Sequence, residues 1–505
     1  MRIAVIGAGI SGIAAAHILT KCGHDVVVFE KSTELGGVWT IGYPGVRLQN
    51  TRKQYCISDI PWPFKPDLHP TSRQIREYLN QAVADLQLDV RRNHEVREIV
   101  ENGEGWVLTY DNGETEHNEA FEFIVVASGQ YTEGKHKPRL SGQEIFKGEV
   151  ITERDVGDLD IFDNKRTVIV GFGKSAVDMA TFAVQRVKQV HHVFRTPRWM
   201  IPFRILGFSY TKFLFCRMGT IIMPSWAYPT SFERWLHEKL RFLISAIWKL
   251  LKVIYSGYIK SRARFFDKAA LKRLRAVLPD HDIVGDLRSA SCMAPENYFE
   301  NVATGKILPY HSEMVGLTET GLLLKDGRTV ECDQVMLCVG SKTPAFPFLP
   351  DKYRRIMEAE NDGIQLYRHL LHPRIPNLAF AGFNHCFMHV PAVEVATLWL
   401  SAWLEGELRL PPADEMEQSM KYLRDWKRDH INYEPSLCCA TNTRFQQYID
   451  IMLKDLGVSP YRKMPNVFAE LFSEYGAADY AAVLDDYRNV RETTALPRKL
   501  TEVDT

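Results

Sequence analysis

Two glycine-rich strings carry most of the chemistry this chain can perform: Gly7-Ala8-Gly9-Ile10-Ser11-Gly12 and, further along, Gly171-Phe172-Gly173-Lys174-Ser175-Ala176. Each follows an apolar β-like run and opens a helical one. At such a junction glycines let a phosphate approach backbone N–H groups at a helix N-terminus, where the peptide dipoles favour an anion. Around the first string the context is complete. Residues 3–6 read as a buried strand, 13–19 as a helix and 25–29 as a second strand ending at Glu30, a carboxylate placed to accept from a ribose diol, with Lys31 beside it. The residues assigned to a first dinucleotide are therefore Gly7, Gly9, Ser11, Gly12, Glu30 and Lys31.

The second string departs from the first in an informative way. Its strand is 167–170, Ala176 takes the third glycine's place, and the next strand, 190–194, ends at Arg195 instead of an acid. A carboxylate there repels a 2′-phosphate, whereas a guanidinium pairs with it bidentately. This site therefore reads as specific for NADPH over NADH, with Gly171, Gly173, Ser175, Ala176 and Arg195 as its contacts; Arg198 reads equally as a helper or as an exposed loop cation. A chain that holds two dinucleotides is built to pass a hydride between them, most often from a nicotinamide to a flavin.

Composition agrees and excludes other classes. At 505 residues the chain suits two or three domains. Lys plus Arg equal Asp plus Glu at 62 each, so bulk charge asks for neither nucleic acid nor an acidic substrate. Nine cysteines without a CxxC or a metal-ligand spacing read as reduced and cytoplasmic, with the vicinal Cys438-Cys439 taken as structural. A core strand starting at residue 2 leaves no room for a signal peptide.

The organisation follows from where patterns restart. A helix at 71–88, a strand at 106–110 with a turn at Asp111-Asn112-Gly113, and a buried strand at 123–127 precede the second nucleotide unit, which begins near Val150. A matching pair recurs at 321–324, with Asp326-Gly327 as its hairpin turn, and at 335–339, which is taken to return the chain to the first domain; 378–381 and 390–404 supply a further strand and helix. The expected fold class is α/β, with two Rossmann-like dinucleotide-binding domains, the first discontinuous (1–150 and 328–410) and the second (151–201 and 279–327) inserted in it. An apolar helical insert spans 202–278, and a mostly helical extension spans 411–505.

The sequence resembles the flavin-containing monooxygenases, within the wider class of NADPH-dependent two-dinucleotide flavoprotein monooxygenases. The likeness covers roughly residues 1–200 and 285–410. It rests on both glycine strings, Glu30, Leu35-Gly36-Gly37-Val38-Trp39, Asn50-Thr51, Ser128-Gly129, Phe146-Lys147-Gly148, the run to Asp178, Cys338-Val339-Gly340, and His372-Pro373 through Phe380-Ala381-Gly382. The resemblance implies FAD in the first domain and NADPH in the second, with Gly37, Val38, Trp39, Gly129, Gly340 and Gly382 added to the cofactor contacts. Trp39 reads either as an apolar wall near the flavin or as core packing. Asn50 matches the asparagine that the family places beside the flavin's reactive face, where an amide can both donate and accept; its local alternative is an Asx-turn before Thr51.

The implied reaction reduces FAD with NADPH, adds O2 to form a C4a-hydroperoxide, and passes one oxygen atom to a soft nitrogen or sulfur centre of a hydrophobic small molecule, in a site kept dry. The sequence departs from the family where its Phe-x-Gly-x-x-x-His motif has a histidine, since Thr152 stands there, and where Asn384-His385 replaces a common glutamine. The first departure bears on oxygenation efficiency and favours the alternative of a non-oxygenating NADPH oxidase or reductase; Baeyer–Villiger oxidation lacks its full signature. A colourless scaffold that merely keeps the nucleotide fold is the non-enzymatic alternative. Within the insert, Glu238, Arg241, Ser245, Lys249, Lys252, Ser256 and Lys260 fall at spacings of three and four, giving one polar stripe on an apolar helix. Lysines interrupt it too often for a transmembrane span, so it reads as a buried layer, a subunit contact in a homo-oligomer, a substrate cap or a peripheral membrane contact.

Overall fold

The computed structural model describes every residue except 202–203, 206, 224–225, 290–291, 432–440, 495 and 501–505. The Cys438-Cys439 pair thus lies outside the described residues; the seven described cysteines are free thiols.

Five parallel strands form the first sheet, in the order Leu378–Phe380, Phe123–Val126, Arg2–Ile6, Asp25–Glu30, Asp89–Arg92. The first of these strands in sequence feeds through the glycine turn into Ile10–Lys21, a helix of small and branched residues with nine of its twelve buried. It packs against His389–Leu404, whose residues 390–402 are all buried. A helix that is apolar all round belongs inside a large core.

Glu394 is the exception inside that helix, 5 % exposed and reached by Ser58 N (3.0 Å) and Ser58 Oγ (2.5 Å). Burial pushes its carboxyl up to about 8, against the opposing hydrogen bonds from Ser58. The folded state thus keeps a proton that the unfolded chain, titrating near 4.5, releases. Stability from this group is present below the unfolded value and is lost as pH rises from there towards 8, at up to ~1.4 kcal/mol per pH unit. The expected result is a thermal midpoint that falls between pH 5 and 8, and a flatter profile in Glu394→Gln.

The second sheet is also parallel, ordered Ile307–His311, Val190–Phe194, Thr167–Val170, Gln334–Leu337, Glu149–Thr152. This corrects one boundary. Residues 334–337 were expected to return the chain to the first domain at 328, yet they pair with 167–170 and 149–152 and complete the second sheet. The return follows this strand: Phe346, Phe348 and Leu349 pack on the core of the first sheet, Phe348 O accepts from Ile99 N at 2.9 Å, and 378–380 then joins that sheet beside 123–126. A short apolar run fits the middle of any parallel sheet, so hydrophobicity names a strand without naming its neighbours. Each sheet carries a three-stranded antiparallel appendage, 95–121 on the first and 314–331 on the second.

Two further segments differ from expectation. The extension after 411 is helical but not peripheral: ten of the twelve residues of Phe445–Leu456 are buried, and Trp399 Nε1 donates to Asp455 at 3.0 Å. Arg217 from the insert is sealed against Asp450 (2.6 Å) and Glu470, so insert and extension share one interior. In the long insert helix, Arg241–Ser261, only Ile244 and Ile259 are buried. Its apolar residues Phe242 (72 %), Leu250 (59 %) and Val253 (68 %) are exposed, while Ser245, Lys249 and Lys252 of the polar stripe line a cavity on the protein side.

Candidate functional site

The first glycine loop lies flush on the strand ends. Gly7 has φ +109°, and a Cβ there would sit 2.6 Å from Ala127 O; a Cβ on Gly12 would sit 1.9 Å from Gly7 O. The helix can start this close to the strand only without side chains at either position. Glu30 is buried at the neighbouring strand end, where its two oxygens accept from Ala8 N and Ser32 N, both at 2.9 Å. Lys31 beside it is exposed, as is Val38. The second contact loop comes down on the first: Gly36 N donates to Ala8 O at 3.3 Å, and Gly37 faces Gly9. Trp39 is half-buried, donates to Tyr55 Oη at 2.7 Å and packs on the first core.

The far side of this edge is built by residues distant in sequence. Gly382 abuts Ser11, whose Oγ is 2.9 Å from His389 Nε2. Asn50 is buried, its Nδ2 donates across the fold to Phe387 O, and its Oδ1 accepts no backbone N–H of an Asx-turn among the described residues. Its backbone oxygen accepts from His69 Nδ1 at 2.8 Å. Burial pushes His385 down to about 4 and His389 to about 3, which keeps both imidazoles neutral at physiological pH.

Sequence reasoning singled out Asn384-His385 only as a departure from the family and Ser128 only as part of the likeness, and it did not name His389 or Gln130 at all. Ser128 Oγ, both amide atoms of Gln130, Asn384 Oδ1 and His389 Nδ1 are buried without a hydrogen-bond partner among the described residues. Buried polar atoms are rarely left unpaired. A rim of open donors and acceptors around a glycine cradle fits a flavin dinucleotide, whose pyrophosphate and ring edges are polar. The available signal was position, since Ser128-Gly129-Gln130 and Asn384-His385 directly follow buried strands.

The second loop repeats the construction. Gly171 has φ +124° and a Cβ there would sit 2.2 Å from Cys338 O; its N–H donates to Val193 O at 2.9 Å. Gly173, Ser175 and Ala176 form the start of Lys174–Ala183. Arg195 is exposed at the end of Val190–Phe194, and its guanidinium makes no hydrogen bond or ion pair among the described residues, only a longer-range attraction to Glu313, whereas Arg198 is engaged. Gly340 sits on this side, not with the first loop: it follows the second-sheet strand, and its oxygen accepts from His136 N at 3.0 Å.

Direct contacts hold the two loops together. Tyr43 Oη donates to Asp178 (2.7 Å) in the second nucleotide helix, and Asp178 pairs with Lys174 (2.5 Å); burial pushes the Asp178 carboxyl up against that pairing. At the crossover, Thr152 donates through N and Oγ1 to Asp155, Glu153 pairs with Lys135 (2.8 Å), and Arg154 caps Tyr131 O and Thr132 O. The linker is tethered by these groups in the absence of a histidine at 152.

Residues 1–245 and 291–471 match the model of the family described as flavin-binding monooxygenase-like. The chain belongs to that family. It is an FAD- and NADPH-dependent flavoprotein monooxygenase, and its fold is the two-dinucleotide α/β architecture. Among its relatives is the probable flavin-containing monooxygenase 1 of Arabidopsis thaliana, 30% identical over 95% of this chain and 96% of that protein. The 4-hydroxybenzoate brominase (decarboxylating) of Pseudoalteromonas luteoviolacea is 25% identical over 93% of this chain and 85% of that protein. The open crystal structure of cyclohexanone monooxygenase shares the fold at a TM-score of 0.65 and 18% identity, covering 90% of this chain and 97% of that one.

Proposed function

We propose that this flavin-binding monooxygenase-like protein inserts one atom of O2 into a soft nitrogen or sulfur centre of a hydrophobic small molecule. The observation that carries this reading is the apposition of the two glycine loops, clamped by Tyr43 on Asp178, with the Asn50 amide fixed beside them on Phe387 O. The bound flavin, reduced by NADPH, supplies the oxygen activation. The chain's own residues do the rest. Gly7, Gly9, Ser11, Gly12, Gly37, Gly129 and Gly382 shape the flavin cradle, with Glu30 at the ribose end and Lys31, Val38 and Trp39 on its rim. Gly171, Gly173, Ser175, Ala176 and Arg195 hold the nicotinamide dinucleotide, with Gly340 at the adjoining strand end. Asn50 orients a ligand beside the flavin, and the neutral His385 and His389 keep a second charge out of a site that must exclude water.

The test is stoichiometric: product formed and H2O2 released per NADPH consumed, with methyl phenyl sulfide as substrate. Sulfoxide in the larger share supports oxygenation. Peroxide equal to NADPH, with no sulfoxide, establishes the NADPH oxidase that Thr152 favours.

The outward face of Arg241–Ser261 supports a second element of the reading, a cytoplasmic enzyme in peripheral contact with a membrane. Helix and flank, 241–265, are long and apolar enough to span one by length and composition. Lys249 and Lys252, however, point to the cavity side, which suits a helix lying in the interface with Phe242, Val253 and Phe265 (83 % exposed) immersed. Residues 231–275 hold twelve Lys and Arg against three Asp and Glu, the sign that attracts anionic lipid. The protein is expected to co-sediment with phosphatidylserine vesicles at low salt, and Phe242→Ser with Val253→Ser to remain in the supernatant. A wild-type protein that stays soluble but doubles its mass, reverting to monomer in the double variant, would assign the face to a second copy instead.

A further inference from the structure

Behind the same helix lies a cavity of about 870 Å³, set between Arg241–Ser261, residues 282–288 and Ala413–His430. Its walls are aromatic and fixed. Trp226 and Trp426 meet edge to face at 5.5 Å, and Trp248 is anchored by donating to Ile222 O at 3.1 Å. Its polar groups are lopsided. Five lining side chains are Lys or Arg and two are acids, and Asp282, one of those acids, is already taken by Lys252 at 3.2 Å.

Arg288 decides what this space can hold. It is half-buried, its Nε is sealed from solvent without a partner, and no acid or acceptor engages its guanidinium among the described residues. Desolvation pushes its pKa down with nothing opposing it. A guanidinium carries five donors, and leaving one desolvated and unpaired is costly unless an anion completes it. The fold also invests in its position. Asn442 Nδ2 donates to Arg288 O at 3.1 Å, Phe387 N donates to Asn442 O at 3.3 Å, and Phe387 O is the acceptor of Asn50. Three hydrogen bonds thus link the backbone of Arg288, on the cavity wall, to the corner where Asn50 is held.

We propose that this cavity is the substrate's binding site and that it selects an amphipathic organic anion, with Arg288 holding a carboxylate or phosphate and Trp226, Trp248 and Trp426 holding an aromatic or aliphatic body. The proposal rests on the oxygenating reading above and narrows its substrate class. Arg241 and Lys249, exposed on the cavity lining, draw the anion in.

The experiment titrates the FAD-loaded enzyme with 4-(methylthio)benzoate, its methyl ester and 4-(methylthio)phenyl phosphate, reading tryptophan fluorescence for binding and sulfoxide for turnover. The acid or the phosphate should bind at least about tenfold more tightly than the ester, as expected of a hydrogen bond to a charged group, and the tighter of the two names the headgroup. Arg288→Met should erase that difference while keeping ester affinity. Arg288→Lys should restore part of it. Because Met removes an unpaired charge, the thermal midpoint should not fall, which separates loss of binding from loss of fold. Equal binding of acid and ester to the wild type, or an unchanged preference in Arg288→Met, overturns the proposal. Binding that follows this pattern without any sulfoxide would instead overturn the oxygenating reading and leave the anion site standing.

Discussion

Gly12→Val is expected to purify without colour. A Cβ at this position would lie 1.9 Å from Gly7 O and 3.3 Å from the Ala127 side chain, so the helix start must back away from the strand ends. Overpacking of a tight site costs ~1–3 kcal/mol in the protein alone. The displaced N–H groups also lose the dinucleotide, so flavin affinity should fall at least about a hundredfold, equivalent to ~3 kcal/mol. Absorbance in the flavin bands after reconstitution measures this directly. Gly9→Ala sharpens the reading, because its Cβ would meet nothing closer than Gly37 Cα at 3.7 Å. The protein has room for that methyl group, so flavin lost in Gly9→Ala is lost to crowding of the ligand and not to a broken loop. Retention of full flavin by both variants would remove the first cofactor site from residues 7–12.

Arg195→Ala comes next in size. The guanidinium is exposed, makes no hydrogen bond or ion pair among the described residues, and stands where a second-strand acid would otherwise meet the ribose. Hydrogen bonds to a charged partner contribute ~1.5–3 kcal/mol, so kcat/KM for NADPH should drop about 10- to 100-fold while that for NADH hardly moves. The ratio of the two nicotinamides is the measurement, since a general loss of activity would lower both. Arg198, already engaged by other groups, should give a smaller change when truncated. An unchanged preference in Arg195→Ala would mean that the 2′-phosphate is recognised elsewhere.

What could be read from the sequence was what local spacing determines. Each glycine string stands between its strand and its helix as expected, with Glu30 and Arg195 at the ends of the following strands. Information carried by partners far along the chain was not legible. The 334–337 strand is apolar in either sheet, and only its pairing with 149–152 and 167–170 shows which one it completes. Asn50 carries no local sign that its amide will reach Phe387, 337 residues away. The insert helix shows a related failure. Its polar stripe was expected on one helix, whereas Glu238 falls on the preceding helix, Ser231–Lys239; of the rest, Arg241, Ser245, Lys249 and Lys252 line the cavity while Phe242, Leu250 and Val253 face outward, and a stripe alone does not say which face meets the protein. The unpaired atoms of Gln130 and Asn384 became visible only once the strands before them were brought side by side.

One architectural fact bears on how the polypeptide is made. The helix at Ile10–Lys21 is translated hundreds of residues before the surface it packs on, His389–Leu404, and Asp455, which accepts from Trp399 in that surface, follows later still. Through most of synthesis the opening helix therefore waits with its greasy side uncovered while the inserted nucleotide domain folds ahead of it. A chain ending before residue 389 is therefore expected to expose the apolar face of Ile10–Lys21 and to aggregate, however well its inserted half has formed.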